Sequence, residues 1–557
     1  MTQRDQLPHG SFDTIIKNAS IYDGSGGAPQ VNDIGITGER ITQIGDISAS
    51  AKNIVNADGL AIMPGIIDVH THYDAQLTWD PTVSPSPSMG VTTIVIGNCG
   101  FGIAPCPPAL RQTILENLSV VEGMNLDSLV EGTRWEFETF SEYLDFIQEQ
   151  HPFVNVAALI GHSAIRTAVM GNLASESPMP SKIELAKMVE IVEKAIDDGA
   201  IGFASSFSPN HSGYMGKPMP STIAGDEELA AMLQPLREKQ KGVFVIAAGS
   251  RATPEYLENL CKRIGCPVFI VTVLAMHNDS NPTVASNYYK RCSEAMERGH
   301  EIYVHANPHP LSFDFTLRNP YLFFSHSAFE KIKQSKGNDL ENIYGSAEFR
   351  SEFLKNLDQK TTGALFNGEW EKIEHNEVPI TQLAKEQNQR PIDWLFDQHL
   401  DKPFIAKLFQ NNDHAVAKLL KHKNAVLGLS DAGAHMEFLC DAGYGLFFLD
   451  HWTIKSGVFT IEEAVKKLTS DVAEKYRIKD RGKLVKGYFA DLLLFDPKQV
   501  SITKMYRTED LPNKQKRMMR DSRGIVGVWV NGTQIVRQGN TMCNIEGPGS
   551  VLRRFDF

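Results

Sequence analysis

The chain has no run of about eighteen apolar residues, so its sequence offers no membrane-spanning helix. Residues 1–13 are polar and lack the apolar core of a secretory signal. Cysteine is scarce: seven among 557 residues, at positions 99, 106, 261, 266, 292, 440 and 543, with no C-x-x-C pair. An odd, sparse set argues against a disulfide framework and fits the reducing cytoplasm, the expected location. Basic charge is also short. Fifty-five Lys and Arg against 67 Asp and Glu leave a net charge of -12, which gives no footing for nucleic acid. Neither an internal repeat nor a low-complexity tract is present. What remains is ordinary globular composition, 42% hydrophobic and 22% charged. The expected partner is a small-molecule substrate, with neither nucleic acid nor membrane. The assembly state is not legible, and a homo-oligomer stays open.

The order of patterns predicts an α/β protein. The first sixty residues read as short strands and turns, including a hairpin of 34–36 with 40–45 around Thr37-Gly38-Glu39. The C-terminal part returns to this style at 490–495 and 527–536, the latter with an Asn531-Gly532 turn. The two ends are expected to pair into one small β-sandwich, 1–60 with 483–557. Between them, over 61–482, apolar strand candidates alternate with helical patterns. They fall at 66–70, 91–96, 154–160, 200–205, 243–247, 268–274, 302–305 and 426–430. Eight such strands are the count of a (β/α)₈ TIM-type barrel, whose functional residues sit at strand C-termini. The segment of about 308–424 is too long for a loop and is expected to be a helical insertion or lid over the barrel mouth.

The most informative stretch is His70-Thr71-His72, which closes the apolar run 61–69. That run reads as one strand buried on both faces. Side chains alternate along a strand, so two histidines at i and i+2 point the same way from its end and can grip one metal ion. Other strand ends add candidates. Cys99 sits between glycines after the second strand; a thiolate binds zinc well, although a free Cys is more often a small buried hydrophobe. Asp431 ends the eighth strand, where it can take a proton from a metal-activated water, ligate the ion, or merely cap a helix. His162, Arg166, His305, His309 and His435 are candidates for substrate binding, Arg166 through a guanidinium that grips carboxylates. Each has the alternative of a core or surface role.

These motifs carry a resemblance. Met63-Pro64-Gly65-Ile66-Ile67-Asp68-Val69-His70-Thr71-His72 resembles the first-strand signature of the amidohydrolase superfamily. Gly90–Gly100, Trp135–Phe140 with Tyr143-Leu144, Gly161-His162 with Arg166, Ala168–Gly171, Arg481–Leu492 and Gly547–Arg553 are similar to its D-aminoacylase branch, the N-acyl-D-amino-acid deacylases. The resemblance spans nearly the whole chain and is weakest over 310–420. It implies a (β/α)₈ barrel with a β-sandwich from both termini. It also implies zinc bound by His70, His72 and Cys99, with Asp431 as catalytic acid/base, and hydrolysis of an N-acylated amino acid or a related small amide.

The chain departs from the branch at two places. Ala247 and Thr272 stand at the ends of the fifth and sixth strands, where the resemblance implies two further histidines that hold a tightly bound zinc together with the Cys, so that site is expected to be abolished or badly weakened. Alanine cannot bind metal and a threonine hydroxyl is a poor zinc ligand. The expectation is therefore a mononuclear site of His70, His72, Asp431 and Cys99, holding one zinc or another divalent ion. Ester, lactone or C–C cleavage beside a carbonyl, or a silent ligand-binding relative, stand as alternatives.

Overall fold

A computed structural model of the chain describes residues 11–335, 339–359, 364–436 and 440–555. Its centre is a ring of eight parallel strands: β1 (66–71), β2 (Val91–Ile96), β3 (Asn155–Gly161), β4 (Gly202–Ser206), β5 (Val243–Ala247), β6 (Val268–Val271), β7 (Ile302–Ala306) and β8 (425–432). Each pairs with the next in chain order. The ring closes where β8 pairs with β1, Leu429 opposite His70 and Ala432 opposite Thr71. All eight strands lie within a few residues of their predicted positions. Their two faces are both buried, as a parallel sheet covered by helices requires. Ile67, Val95, Leu159, Val245, Phe269 and Tyr303 form one cluster inside the ring, against Tyr476. Neighbours of opposite parity, such as Ile66, Ile94, Phe244 and Ile270, join the larger core with helix residues Val192, Leu236 and Leu257.

The apolar run 61–69 is two strands rather than one. Ala61–Pro64 pairs antiparallel with Leu492–Phe495, while Ile66 onward enters the barrel. That first pairing joins the two chain ends into one nine-stranded sheet. Both predicted hairpins are present in it. Alternation explains its two faces. Leu492 and Leu494 pack with Ile16, Ile34, Ile62 and Trp529, whereas Leu493 and Phe495 join the barrel core. A buried polar clamp fastens the sheet to β3. Asp491 receives Arg481, the Asn531 amide at 2.8 Å and the Asn155 side chain at 3.2 Å.

The long insertion is not simply helical. It contains a four-stranded antiparallel sheet in the order Leu311–Phe315, Phe404–Phe409, Ile373–His375, Val378–Pro379. Helices including Ala347–Asp358 and Pro391–Phe396 pack on an aromatic core of Phe323, Phe353, Phe366 and Phe396. Its strands are short and irregularly spaced, so their alternation is weak beside the charged helical runs. Among the described residues no helix is long and apolar enough to cross a membrane.

The Asp491 clamp yields a stability test. Asp491→Ala leaves the Arg481 guanidinium buried without its carboxylate. Loss of one partner of a buried pair costs about 3–5 kcal/mol. Urea unfolding is expected to show a loss of that size, and a midpoint matching wild type would contradict the clamp's role.

Candidate metal centre

His70, the last but one residue of β1, and His72 just beyond it converge with Cys99 at the mouth of the barrel. Their ligand atoms all lie within 4.8 Å of one another, the one such cluster among the described residues. Cys99 Sγ is 3.6 Å from His70 Nε2. The thiol is presented by a tight turn. Gly97, at φ 78°, packs so closely that a Cβ would lie 2.1 Å from the Leu159 carbonyl oxygen. Only glycine tolerates both that conformation and that approach. Asn98 pins the same turn by donating to the carbonyls of Val95 at 2.9 Å and Thr71 at 3.3 Å.

Asp431, the last but one residue of β8, lies in the left-handed region at φ 51°, a conformation that Asp adopts more readily than most residues. Its Oδ1 stands 3.2 Å from His70 Nε2 and 3.5 Å from His72 Nε2. It touches both imidazoles yet lies outside the tight triad. Gly433 follows at φ 91°, where a Cβ would lie 2.7 Å from the His72 carbonyl carbon. His70, His72 and Cys99 are buried, whereas the Asp431 side chain is 29% exposed to the cavity.

The charges here are mutually dependent. Burial opposes protonation of His70, but Cys99 and Asp431 outweigh it and push the imidazole up to about 9. His72 is raised in the same way, with Glu122 the main partner against burial. Burial alone would raise Asp431, yet the two imidazoles hold it well below the usual carboxylate range. Glu122 is itself pushed up to about 7 by burial, against the pull of His72. Its Oε1 is 3.2 Å from His72 Nδ1, but the angle makes no aligned hydrogen bond, so the contact is one of charge.

The cavity above this cluster is lined by His70, His72, Cys99, Ser430 and Asp431, and by the ends of β5 and β6, including Ala247 and Thr272. Leu311, Phe313, Tyr321 and Leu365 of the insertion cover it. Of the residues read as substrate-binding, His435 lines the cavity, with its backbone amide bonded to the Glu122 carbonyl. The other four are committed elsewhere, which corrects that reading of them. His162 bridges Ser205 and Glu228 at 2.8 Å each, and Arg166 pairs with Glu228. His305 lies beneath the cluster, 3.1 Å from His70 Nδ1 and 2.7 Å from the Tyr476 hydroxyl. His309 stacks on Phe447 at 4.0 Å.

Three cavity residues gave no signal in the sequence: Glu122, Tyr321 and Asp441. Each belongs to an irregular segment whose position depends on tertiary packing. Glu122 follows helix Arg111–Val121 in the long connection after β2.

The chain belongs to the amidohydrolase family, whose profile it matches over residues 53–536. A D-aminoacylase of Alcaligenes xylosoxydans xylosoxydans is 28% identical over 552 residues, 96% of each chain. An N-acyl-D-aspartate deacylase of the same organism is 27% identical over 565 residues, 99% of this chain and 97% of that one. Among solved structures, a D-aminoacylase superposes with a TM-score of 0.67 at 24% identity, covering 98% of this chain and all of the other. An N-acyl-D-glutamate deacylase from Bordetella bronchiseptica, solved with zinc and a phosphonate mimic of the tetrahedral intermediate, gives 0.65 at 22%, with the same coverage. The structural likeness establishes the shared fold.

Zinc uptake is expected to depend on pH in one direction. A metal must displace the protons that His70 and His72 carry, and His70 is pushed up to about 9. Apparent affinity should therefore fall as pH drops below that value, by up to about tenfold per unit for each proton displaced. Calorimetry near neutral pH in two buffers of different ionisation enthalpy reads the proton count. Zinc binding without proton release would contradict the assigned charge states.

Proposed function

We propose that the protein is a metal-dependent hydrolase that cleaves the amide C–N bond of a small substrate at a mononuclear site. The observation that carries this reading is the placement of Asp431 Oδ1 within 3.2 and 3.5 Å of both imidazoles, at the open side of the His70, His72 and Cys99 cluster. Two imidazoles, a thiolate and a carboxylate suit zinc in both softness and charge. A bound zinc would supply Lewis acidity toward a carbonyl and an attacking water. Ala247 and Thr272 offer no second set of donors, and the Thr272 hydroxyl already accepts from the Leu274 amide at 3.2 Å. A solved D-aminoacylase structure is described in terms of activation by one metal and attenuation by a second. That description and the relatives' names support amide cleavage at one ion.

The remaining roles follow from proton positions. His70 can present a lone pair at Nε2 only when Nδ1 carries the proton. Nδ1–H then donates to His305 Nδ1, which leaves His305 protonated at Nε2 and donating to the Tyr476 oxygen. His305 and Tyr476 are thus positioning residues that fix the His70 tautomer and ring plane. Asp431 is ionised at neutral pH and accepts a proton from the attacking water, which it later delivers to the departing nitrogen. Glu122 sets the charge around His72 from the opposite side.

Two variants separate these roles. Asp431→Asn is expected to retain zinc and lose about 10²–10⁴-fold in kcat on an N-acyl amide, the usual worth of a general acid/base. His70→Ala is expected to lose zinc as well as activity. Metal analysis beside single-substrate kinetics makes the comparison, and an active Asp431→Asn protein would refute the assignment of Asp431.

A further inference from the structure

The cavity has carboxylates but no fixed cation. Glu122, Asp431 and Asp441 line it, and among the described residues no Lys or Arg does. Residues 437–439, which precede Cys440 and Asp441, read Glu-Phe-Leu and add none. The imidazoles of His211 and His435 also face the cavity, but burial pushes them down to about 3 and about 4, which leaves both neutral. A divalent ion held by the cluster would be balanced by a Cys99 thiolate and the Asp431 carboxylate. Two arginines that lie close to Asp441 in space, Arg520 and Arg517, are occupied. Arg520 donates to the Cys440 carbonyl at 2.8 Å and the Thr503 carbonyl at 3.1 Å, and its closest approach to Asp441 is 4.0 Å. Arg517 is held by Asp510 and the Ser84 carbonyl. On the other side Val273, Leu274, Met276, Leu311, Phe313 and Leu365 form an apolar wall.

A substrate carboxylate in this space would meet like charge and find no guanidinium or ammonium, and burying an unpaired charge is costly. We propose that the substrate is a carboxylate-free N-acyl amide, uncharged, with an apolar arm against this wall. The proposal rests on the reading of the site as an amide hydrolase and narrows its substrate class. In the reaction one water is consumed: the C–N bond breaks, hydroxyl joins the acyl carbon, and a proton goes to the nitrogen. The acid product carries a negative charge that the substrate lacks, so the same carboxylates favour its release. The relatives are named for amino-acid substrates, which carry the group that this cavity has no cation to meet.

The test uses the zinc-loaded full chain and matched probes: N-acetyl-phenethylamine, and N-acetyl-phenylalanine as either enantiomer, which differ by one carboxylate. The expected result is a kcat/KM at least tenfold higher for the neutral amide. Equal or better cleavage of either acid overturns the proposal and leaves the amide-hydrolase reading intact. If neither probe is cleaved, that reading fails for this pair, and equilibrium binding of the uncleaved probes to the zinc-loaded wild-type chain still decides the preference. Tighter binding of the neutral probe by tenfold supports the proposal, and equal or tighter binding of the acid overturns it. Asp441→Asn supplies a second check. Its neutral-to-acid ratio, in kcat/KM or binding, is expected to fall at least threefold, with both probes measured on the same protein so that any loss of folded material cancels. An unchanged ratio overturns the electrostatic argument.

Discussion

The pairing of β1 with β8 closes the barrel at His70 and Leu429, two residues before Asp431. The seam that completes the fold is therefore also the place where His70 and His72 meet the Asp431 carboxylate. Neither strand can slip without parting them, because a shift by one residue turns every side chain to the opposite face. Gly433 lies against His72 and the Gly97 turn lies against β3. These close approaches lock the flanking loops to the same seam. The position of the site is thus a consequence of barrel closure rather than of loop conformation alone.

Burial adds a second constraint, that of charge balance. His70, His72, Cys99 and Glu122 are all nearly inaccessible, and isolated charges in such a place are strongly disfavoured. The Asp431 and Glu122 carboxylates, with the Cys99 sulfur beside them, favour the protonated imidazoles, which is why burial fails to depress His70 and His72. A divalent ion bound by these residues would replace those protons without changing the sign that the carboxylates face. The cluster is in this sense a site that needs a cation, and protons serve in place of the metal. The His305 and Tyr476 pair beneath it carries no formal charge and so can orient His70 without disturbing that balance.

Much of this was legible in the residues. The apolar runs at strand spacing placed all eight barrel strands, because a parallel strand buried on both faces must be almost wholly apolar. His70, His72, Cys99 and Asp431 were legible because each ends or follows such a strand. Failure began where position depends on partners distant in sequence. His162 was a strand-end candidate for substrate binding, yet Glu228, 66 residues later, captures it together with Arg166. His305 lies on a barrel strand but below the mouth, a depth that strand counting does not resolve. Glu122 and Asp441 lie in irregular connections where neither period nor motif marks them. The insertion's antiparallel sheet was hidden because its strands are short and 57 residues lie between Phe315 and Ile373.

Ala247 and Thr272 link the metal reading to the substrate reading. Both still line the cavity, so their strand ends have kept their place while losing the imidazoles that the family resemblance implies. By the resemblance, those imidazoles together with Cys99 hold the family's tightly bound zinc, so on the proposed reading their loss weakens or abolishes that site and the positive charge it would bring. What stands there instead is alanine, a hydroxyl already bonded to backbone, and the apolar run of Val271, Val273 and Leu274. One half of the mouth therefore holds the polar, metal-facing chemistry and the other half is largely apolar. A cavity with one cation site, already balanced by its own ligands, has little positive field left for an anionic group. On the proposed reading, the substitutions that would leave a single ion are the same ones that would turn the cavity toward uncharged substrates.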